Sequence, residues 1–465
     1  MPTRRALLAA TAALVMSLST ACSGSQSDNS SDGARQIEVW TADTLPDRVA
    51  ATKEILKDFT AKTGIKVKLT GVAEDQFNQV LTASAAAGKL PDVWGSLSLE
   101  QVRTLSVNDL TDTDANAAVV DENGEDTFSP RALALTRDGD QQIAVPSDSW
   151  AQLLIYRKDL FKKAGLPAPK TFADVLAAAK KLNSPPQMAG FVGANSPGDS
   201  FTRQTFEHIA LANGCDLVNS SGQVTFNSKP CVDALKFYGD LIDNYSVPGN
   251  QDVDTTRATY FAGKSAMLIW STFILDEMAG LRDDAMPSCP QCASDPAFLA
   301  KNSGVVAALQ GPDAQGPAQY GQVTSWTILR DADTDAAKEF VNYMLNQGYE
   351  DWTRIAPEGK VPVRKGTPSD PTKFIDAWKA MPVGVDRKAP LSKFYGQDVL
   401  NILAEGPDNF DRWGIEQGQG KLLGAMTGEM PVAAAVGEVT NGGTDPSTAA
   451  EEAADAITSL QDSVK

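Results

Sequence analysis

Gln36-Ile37-Glu38-Val39-Trp40 alternates apolar and polar residues, the period of a half-buried strand. Residues 47–62 then place Val49, Thr52, Ile55, Leu56 and Phe59 on one helical face, with Gly64 positioned to stop the helix. Ile65, Val67 and Leu69 alternate again. A strand, a helix and a second strand in this order are the unit of a parallel α/β sheet, because parallel neighbours need a crossover connection. A second helix over 74–87, with Phe77, Val80 and Leu81 inward, leads through Gly88 to Leu90-Pro91-Asp92-Val93-Trp94.

Outward from this unit the same signals recur. Residues 109–126 read as a polar stretch, 142–146 and 151–156 as two short strands, and 159–164 as a brief helix ended by Gly165. Thr171-Phe172-Ala173-Asp174 has the form of a capping box opening a helix to Leu182. Helices are expected over 200–213, 232–244, 254–262 and 335–346, and strands over 266–270 and 323–329. After a Gly-rich break at Asn441, a last helix is expected with Thr448 and Glu451 at its start. No internal repeat is visible.

The chain has 465 residues, 42% hydrophobic and 22% charged, which excludes wholesale disorder, collagen and a polytopic membrane protein. Its formal charge is −18, with no basic stretch to set against it, so nucleic acid is excluded as a partner. One histidine, His208, removes multi-histidine metal sites. The eight tyrosines are dispersed and no Walker A sequence occurs. No cofactor and no metal are expected.

The first residues carry an address. Arg4 and Arg5 precede an apolar run over 6–18, too short to span a bilayer comfortably, so residues 1–21 read as a removed signal peptide. Thr3-Arg4-Arg5-Ala6-Leu7-Leu8 fits either a twin-arginine signal or an ordinary secretory start. Leu18-Ser19-Thr20-Ala21-Cys22 resembles a bacterial lipobox with Ser19 where a leucine is usual, so Cys22 is the expected lipidation site. Residues 22–35 are then a lipidated cysteine and a solvated linker to the membrane surface. The other four cysteines, Cys215, Cys231, Cys289 and Cys292, allow three pairings in an oxidising compartment. The local ones, 215–231 and 289–292, are preferred over a redox role for the Cys289-Pro290-Gln291-Cys292 loop.

Tyr156-Arg157-Lys158-Asp159-Leu160-Phe161-Lys162-Lys163-Ala164-Gly165-Leu166-Pro167, followed by Pro169, Thr171, Phe172 and Asp174, resembles the signature of family 1 bacterial extracellular solute-binding proteins. These are the maltose-binding-protein-like sugar carriers of ABC importers. Phe261-x-Gly263-Lys264-x-Ala266-Met267, Asp335-x-Ala337-Lys338-Glu339-Phe340 and Val361-Pro362-Val363-Arg364 follow in the family's order, while Arg157 stands where the family commonly has Asn. The resemblance spans roughly residues 36–440. It implies an α/β, two-lobed periplasmic-binding-protein type II fold, with hinge-connected lobes and a central ligand cleft. Lobe 1 is expected over 36–148 with 310–365, lobe 2 over 149–309 with 366–440, and a helical tail over 441–465. Crossings are expected near Asp148, over 306–310 and over 363–367. It also implies a non-enzymatic, monomeric, lipid-anchored lipoprotein on the outer face of the cell membrane, handing its solute to ABC permease subunits.

A sugar presents hydroxyls and flat C–H patches, so its cleft needs aromatic faces beside carboxylates and amides at strand ends. Asp43, Trp94, Asp148, Trp150, Trp270, Trp326 and Trp413 are the candidates for such a carbohydrate site. Each competes with an ordinary role, a buried tryptophan for core packing and an isolated Asp for helix capping. Trp40, Trp352 and Trp378 read as core, and His208 as a helix residue without chemistry. Two alternatives are a secreted glycoside hydrolase, needing two carboxyls roughly 5–9.5 Å apart, and the same fold holding a non-sugar solute such as a polyamine.

Overall fold

The structure, a computed structural model, describes residues 35–464; the signal segment, the lipobox with Cys22 and the linker up to residue 34 lie outside the described residues. β1 (Gln36–Thr41) is followed by a helix over Pro46–Thr63 and by β2 (Lys66–Gly71). Pro46 opens that helix where a missing N–H costs nothing, and Gly64 closes it in the left-handed region at φ 76°. β1 pairs in parallel with both β2 and β3 (Val93–Leu97).

β4 (Arg137–Asp138) and β5 (Gln141–Gln142) make a small hairpin. The next strand, β6, runs over Val145–Arg157 without a break, where the sequence pattern had pointed to two strands. Pro146 interrupts the alternation, yet the strand tolerates it because the register shifts between Pro146 and Asp148. β7 (Met267–Ser271), β8 (Ser303–Val306), β9 (Gly321–Ile328) and β10 (Val361–Pro362) complete the sheet. Its order is β10-β6-β9-β3-β1-β2, with β7 and β8 also on β6. β6 changes partners midway: residues 145–151 pair with β9, and residues 152–157 pair with β7 and β8. One strand thus joins two sets of neighbours.

The polar stretch 109–126 contains a helix over Thr113–Asn123, capped by the Asp112 carboxylate accepting from the Ala115 N–H. The last helix spans Pro446–Ser463, and its cap is Asp445 rather than Thr448. Ala449, Ala450, Ala453, Ala454 and Ile457 pack it into one core with Leu154, Phe206, Tyr238 and Trp413. The capping box at Thr171 and Asp174 is present with both of its hydrogen bonds. The cysteines lie as two pairs at bonding distance, Cys215 with Cys231 at 2.07 Å and Cys289 with Cys292 at 2.06 Å. Among the described residues no helix is long and apolar enough to cross a membrane.

Candidate functional site: a cleft of two adjoining chambers

The site grows from chain segments that leave the ends of strands. The loop after β1 supplies Asp43, and the first turn of the Pro46–Thr63 helix supplies Arg48. After β3, Ser98 caps the Leu99–Val107 helix through a capping box with Gln101. β6 supplies Asp148 and Trp150, and the turn after β7 supplies Phe273. These converge with Gln204, Gln322, Thr324 and Lys360 on an inner chamber of about 140 Å³. An outer chamber of about 510 Å³ adjoins it, sharing Glu74, Ser98 and Gln101. Its own walls include Phe77, Asp199, Arg203, Trp413 and the Leu423–Met430 segment.

In the inner chamber, ion pairs tie Arg48 and Lys360 to Asp43. Asp43 lies 3.0 Å from Lys360 and 3.3 Å from Arg48. Burial would raise its carboxyl, but the two cations outweigh burial and hold it below the ordinary value. The Lys360 ammonium also sits 3.9 Å from the centre of the Trp352 ring. Asp148 accepts from Ser147 Oγ at 2.7 Å, Thr324 Oγ1 at 2.6 Å and Trp352 Nε1 at 2.8 Å. Three donors on one buried carboxylate fix the backbone of β6 close to where it changes partners.

Beneath both chambers lies a group of buried charges that the sequence did not single out. Arg203 pairs with Glu100 at 2.8 Å and with Glu207 at 2.5 Å, and Arg412 pairs with Glu100 and, at 3.1 Å, with Glu207. Gln322 Nε2 donates to Glu100 at 2.8 Å and Gln322 Oε1 accepts from Arg412 at 3.0 Å. Burial opposes ionisation of Glu100, but Arg203 and Arg412 overcome it and drive its pKa far below the usual carboxylate range. The only available signal was a polar residue at a helix start, Glu100, and an Arg beside a tryptophan, Arg412. Neither reveals a partner hundreds of residues away in sequence.

The seven sequence-derived candidates divide. Asp43, Asp148 and Trp150 line the inner chamber, and Trp413 lines the outer one with its ring 1% exposed and its Nε1 donating to the Cys215 carbonyl at 2.7 Å. The other three line neither chamber. Trp94 is wedged between Trp40 and Phe77, with ring centres 5.0 and 4.8 Å away. Trp270 packs on Phe201 and bonds the Val253 carbonyl through Nε1 at 3.1 Å. Trp326 packs on Trp352 and Phe340, and a Cβ on Gly95 would stand 2.1 Å from its ring. All three sit at strand positions whose side chains face helices, so packing claims them. Seven of the eight tryptophans are buried; Trp150 alone keeps a partly open ring, and Phe273 lies 6.5 Å from it with the Arg48 guanidinium 4.7 Å from the Phe273 centre. Sequence reasoning missed Phe273, Glu74, Arg48 and Lys360. His208 is buried, and burial depresses its imidazole to about 4, so it stays neutral inside the helix.

Comparison with known proteins matches this architecture. The family of bacterial extracellular solute-binding proteins matches over residues 42–351. YcjN of Escherichia coli (strain K12), named as an ABC transporter periplasmic-binding protein, is 30% identical over 423 residues, 89% of each chain. The maltodextrin-binding protein MdxE of Bacillus subtilis (strain 168) is 25% identical over 274 residues, 54% of this chain and 60% of its own. Among solved structures, the GacH receptor of Streptomyces glaucescens superposes with a TM-score of 0.71 at 18% identity, covering 93% of this chain and 100% of that one. Maltose-bound MalE3 of T. maritima superposes with a TM-score of 0.69 at 19% identity, covering 92% and 100%. The two-lobed fold of these proteins is the fold found here. With its strand-end cleft and its match across two thirds of its length, this chain belongs to the family of bacterial extracellular solute-binding proteins.

Proposed function

We propose that the protein is the extracytoplasmic carbohydrate-binding component of an ABC importer, taking a mono- or oligosaccharide into the two-chambered cleft and delivering it to permease subunits. The observation that carries this reading is Trp150. Its partly open ring faces a chamber edged by Asp43, Asp148 and Gln204, which is the pairing of aromatic face and polar edge that a sugar needs. GacH was solved in complex with acarbose, MalE3 with maltose, and a sugar transporter of Arthrobacter chlorophenolicus A6 with laminaribiose, and those relatives support the class.

In this reading the lobes part where β6 changes partners, close to Trp150, and Cys22 carries the lipid that holds the domain at the membrane. Cys215–Cys231 and Cys289–Cys292 are disulfides, in keeping with an exported monomer, and the protein is not an enzyme. Neither Asp43 nor Asp148 is free for general acid–base work, because each is tied to cations or to three donors. A thermal-shift screen of maltose, laminaribiose and longer oligosaccharides tests the reading, since a ligand raises the unfolding midpoint as RT ln(1 + [L]/Kd). A rise with at least one saccharide and no new reducing ends is expected. Steady release of reducing ends would support a hydrolase instead.

A further inference from the structure

The charges lining the cleft do not balance. Arg48 and Lys360 are committed to Asp43, and Arg203 to Glu100 and Glu207. Of the carboxylates lining the outer chamber, Glu74, Asp75 and Asp199 have no Lys or Arg within 4.0 Å among the described residues. Glu74 and Asp199 reach the chamber from different elements. Glu74 follows β2 and precedes the Phe77–Ala86 helix, whereas Asp199 caps the Ser200–Ala212 helix. One Asp199 oxygen accepts from the Phe201 N–H at 3.0 Å; the other is buried without a partner.

Glu74 is accessible from the cavity yet surrounded by protein. That setting, together with Glu100 and Asp199 as like charges, raises its pKa despite Arg203 and the Ser200 hydroxyl. Asp199 is raised in the same way, by burial and by Asp252, against the helix N–H it accepts. The same chamber offers apolar surface from Phe77, Trp413, Leu423 and Met426. No group of three or more His, Cys, Asp or Glu among the described residues is arranged to hold a metal ion. Like charges lining one partly apolar chamber are relieved by a cation that carries C–H surface of its own.

We infer that the outer chamber selects a glycan bearing a protonated amine, held between Glu74 and Asp199. The inference rests on the carbohydrate reading above and narrows its ligand to an amino sugar. An anionic sugar such as a uronate is disfavoured at the same place, since every cation nearby is already paired.

The test is calorimetry on the whole exported domain with three probes: chitosan oligosaccharides with free amines, the same oligomers N-acetylated, and spermidine. Maltose and laminaribiose serve as neutral sugars. Free-amine oligomers are expected to bind about ten-fold more tightly than their acetylated forms, an advantage that shrinks with added salt. Glu74→Gln and Asp199→Asn should each reduce the advantage toward unity, with the unfolding midpoint showing that the variant is folded; Asn still caps a helix. Equal or tighter binding of neutral sugars overturns the inference and leaves the carbohydrate reading standing. Binding of spermidine alone, or of no saccharide at all, overturns both.

Discussion

Arg203, on the Ser200–Ala212 helix, lies 2.8 Å from Glu100 on the Leu99–Val107 helix, a contact between a helix that comes after β6 in the chain and one that comes after β3. The pair is buried, and its charges are shared with Arg412 and Glu207. Desolvating four charges is costly, so the group holds only while it is complete. Glu100→Gln leaves two guanidiniums short of a counter-charge and is expected to cost about 3 kcal/mol of unfolding free energy. Urea denaturation of the variant measures it, and a loss below about 1 kcal/mol would mean that the group is not held as a unit.

Trp270→Ala is expected to act on stability before it acts on ligand. The ring is 5% exposed, packs on Phe201 and bonds Val253, and removing it opens a cavity worth about 3–5 kcal/mol. The thermal midpoint of the variant reports this directly. A folded Trp270→Ala protein of unchanged midpoint would contradict the packing described for it.

Stability is expected to depend on pH through Glu277. Burial, with Asp276 as a like charge and against Arg257, pushes its carboxyl up to about 7 from an ordinary 4.5. Between those values the folded state holds a proton that the unfolded chain has released, so stability falls as pH rises across that window and levels off above it. Glu277→Gln removes this slope, worth on the order of 2 kcal/mol between pH 5 and 8. Urea midpoints of both proteins at pH 5 and 8 check it. Glu100 works in the opposite sense. Its depressed pKa gives stability that is present above about 4.5 and lost as pH falls further.

Much of the fold could be read from local pattern. The 36–69 strand-helix-strand unit, the Thr171 capping box and the amphipathic helix over Thr334–Leu345 are set by residues a few positions apart. The local pattern reads β6 as two strands because Pro146 hides a bulge, and a bulge depends on its neighbour β9. The site was less legible. Trp94, Trp270 and Trp326 have the residue type and strand position of cleft groups, yet which face of a strand points at a cavity is decided by distant packing. Glu74, Phe273 and Lys360 had no pattern to mark them, because their meaning comes from partners more than 100 residues away, such as Lys360 on Asp43.

Two helices that wall the outer chamber meet at a glycine. A Cβ on Gly424 would stand 2.6 Å from the Thr104 backbone nitrogen, and Thr104 Oγ1 donates to the Gly424 carbonyl at 3.2 Å. The Gly420–Glu429 helix thus lies directly on the Leu99–Val107 helix. Gly424→Val forces the two apart and is expected to weaken saccharide binding about ten-fold, through the closed state rather than through any ligand contact. Small-angle scattering should show a more extended molecule in the presence of saccharide than for the parent. An unchanged affinity would mean that this contact does not govern closure.

The central claim is that a sugar ring packs on Trp150, and calorimetry of Trp150→Ala against the saccharide that best stabilises the parent tests it most directly. Trp150 is only partly covered, so the variant should keep the parent's unfolding midpoint within a few degrees while losing at least ten-fold in affinity. An affinity equal to the parent's in a folded Trp150→Ala protein would contradict the account.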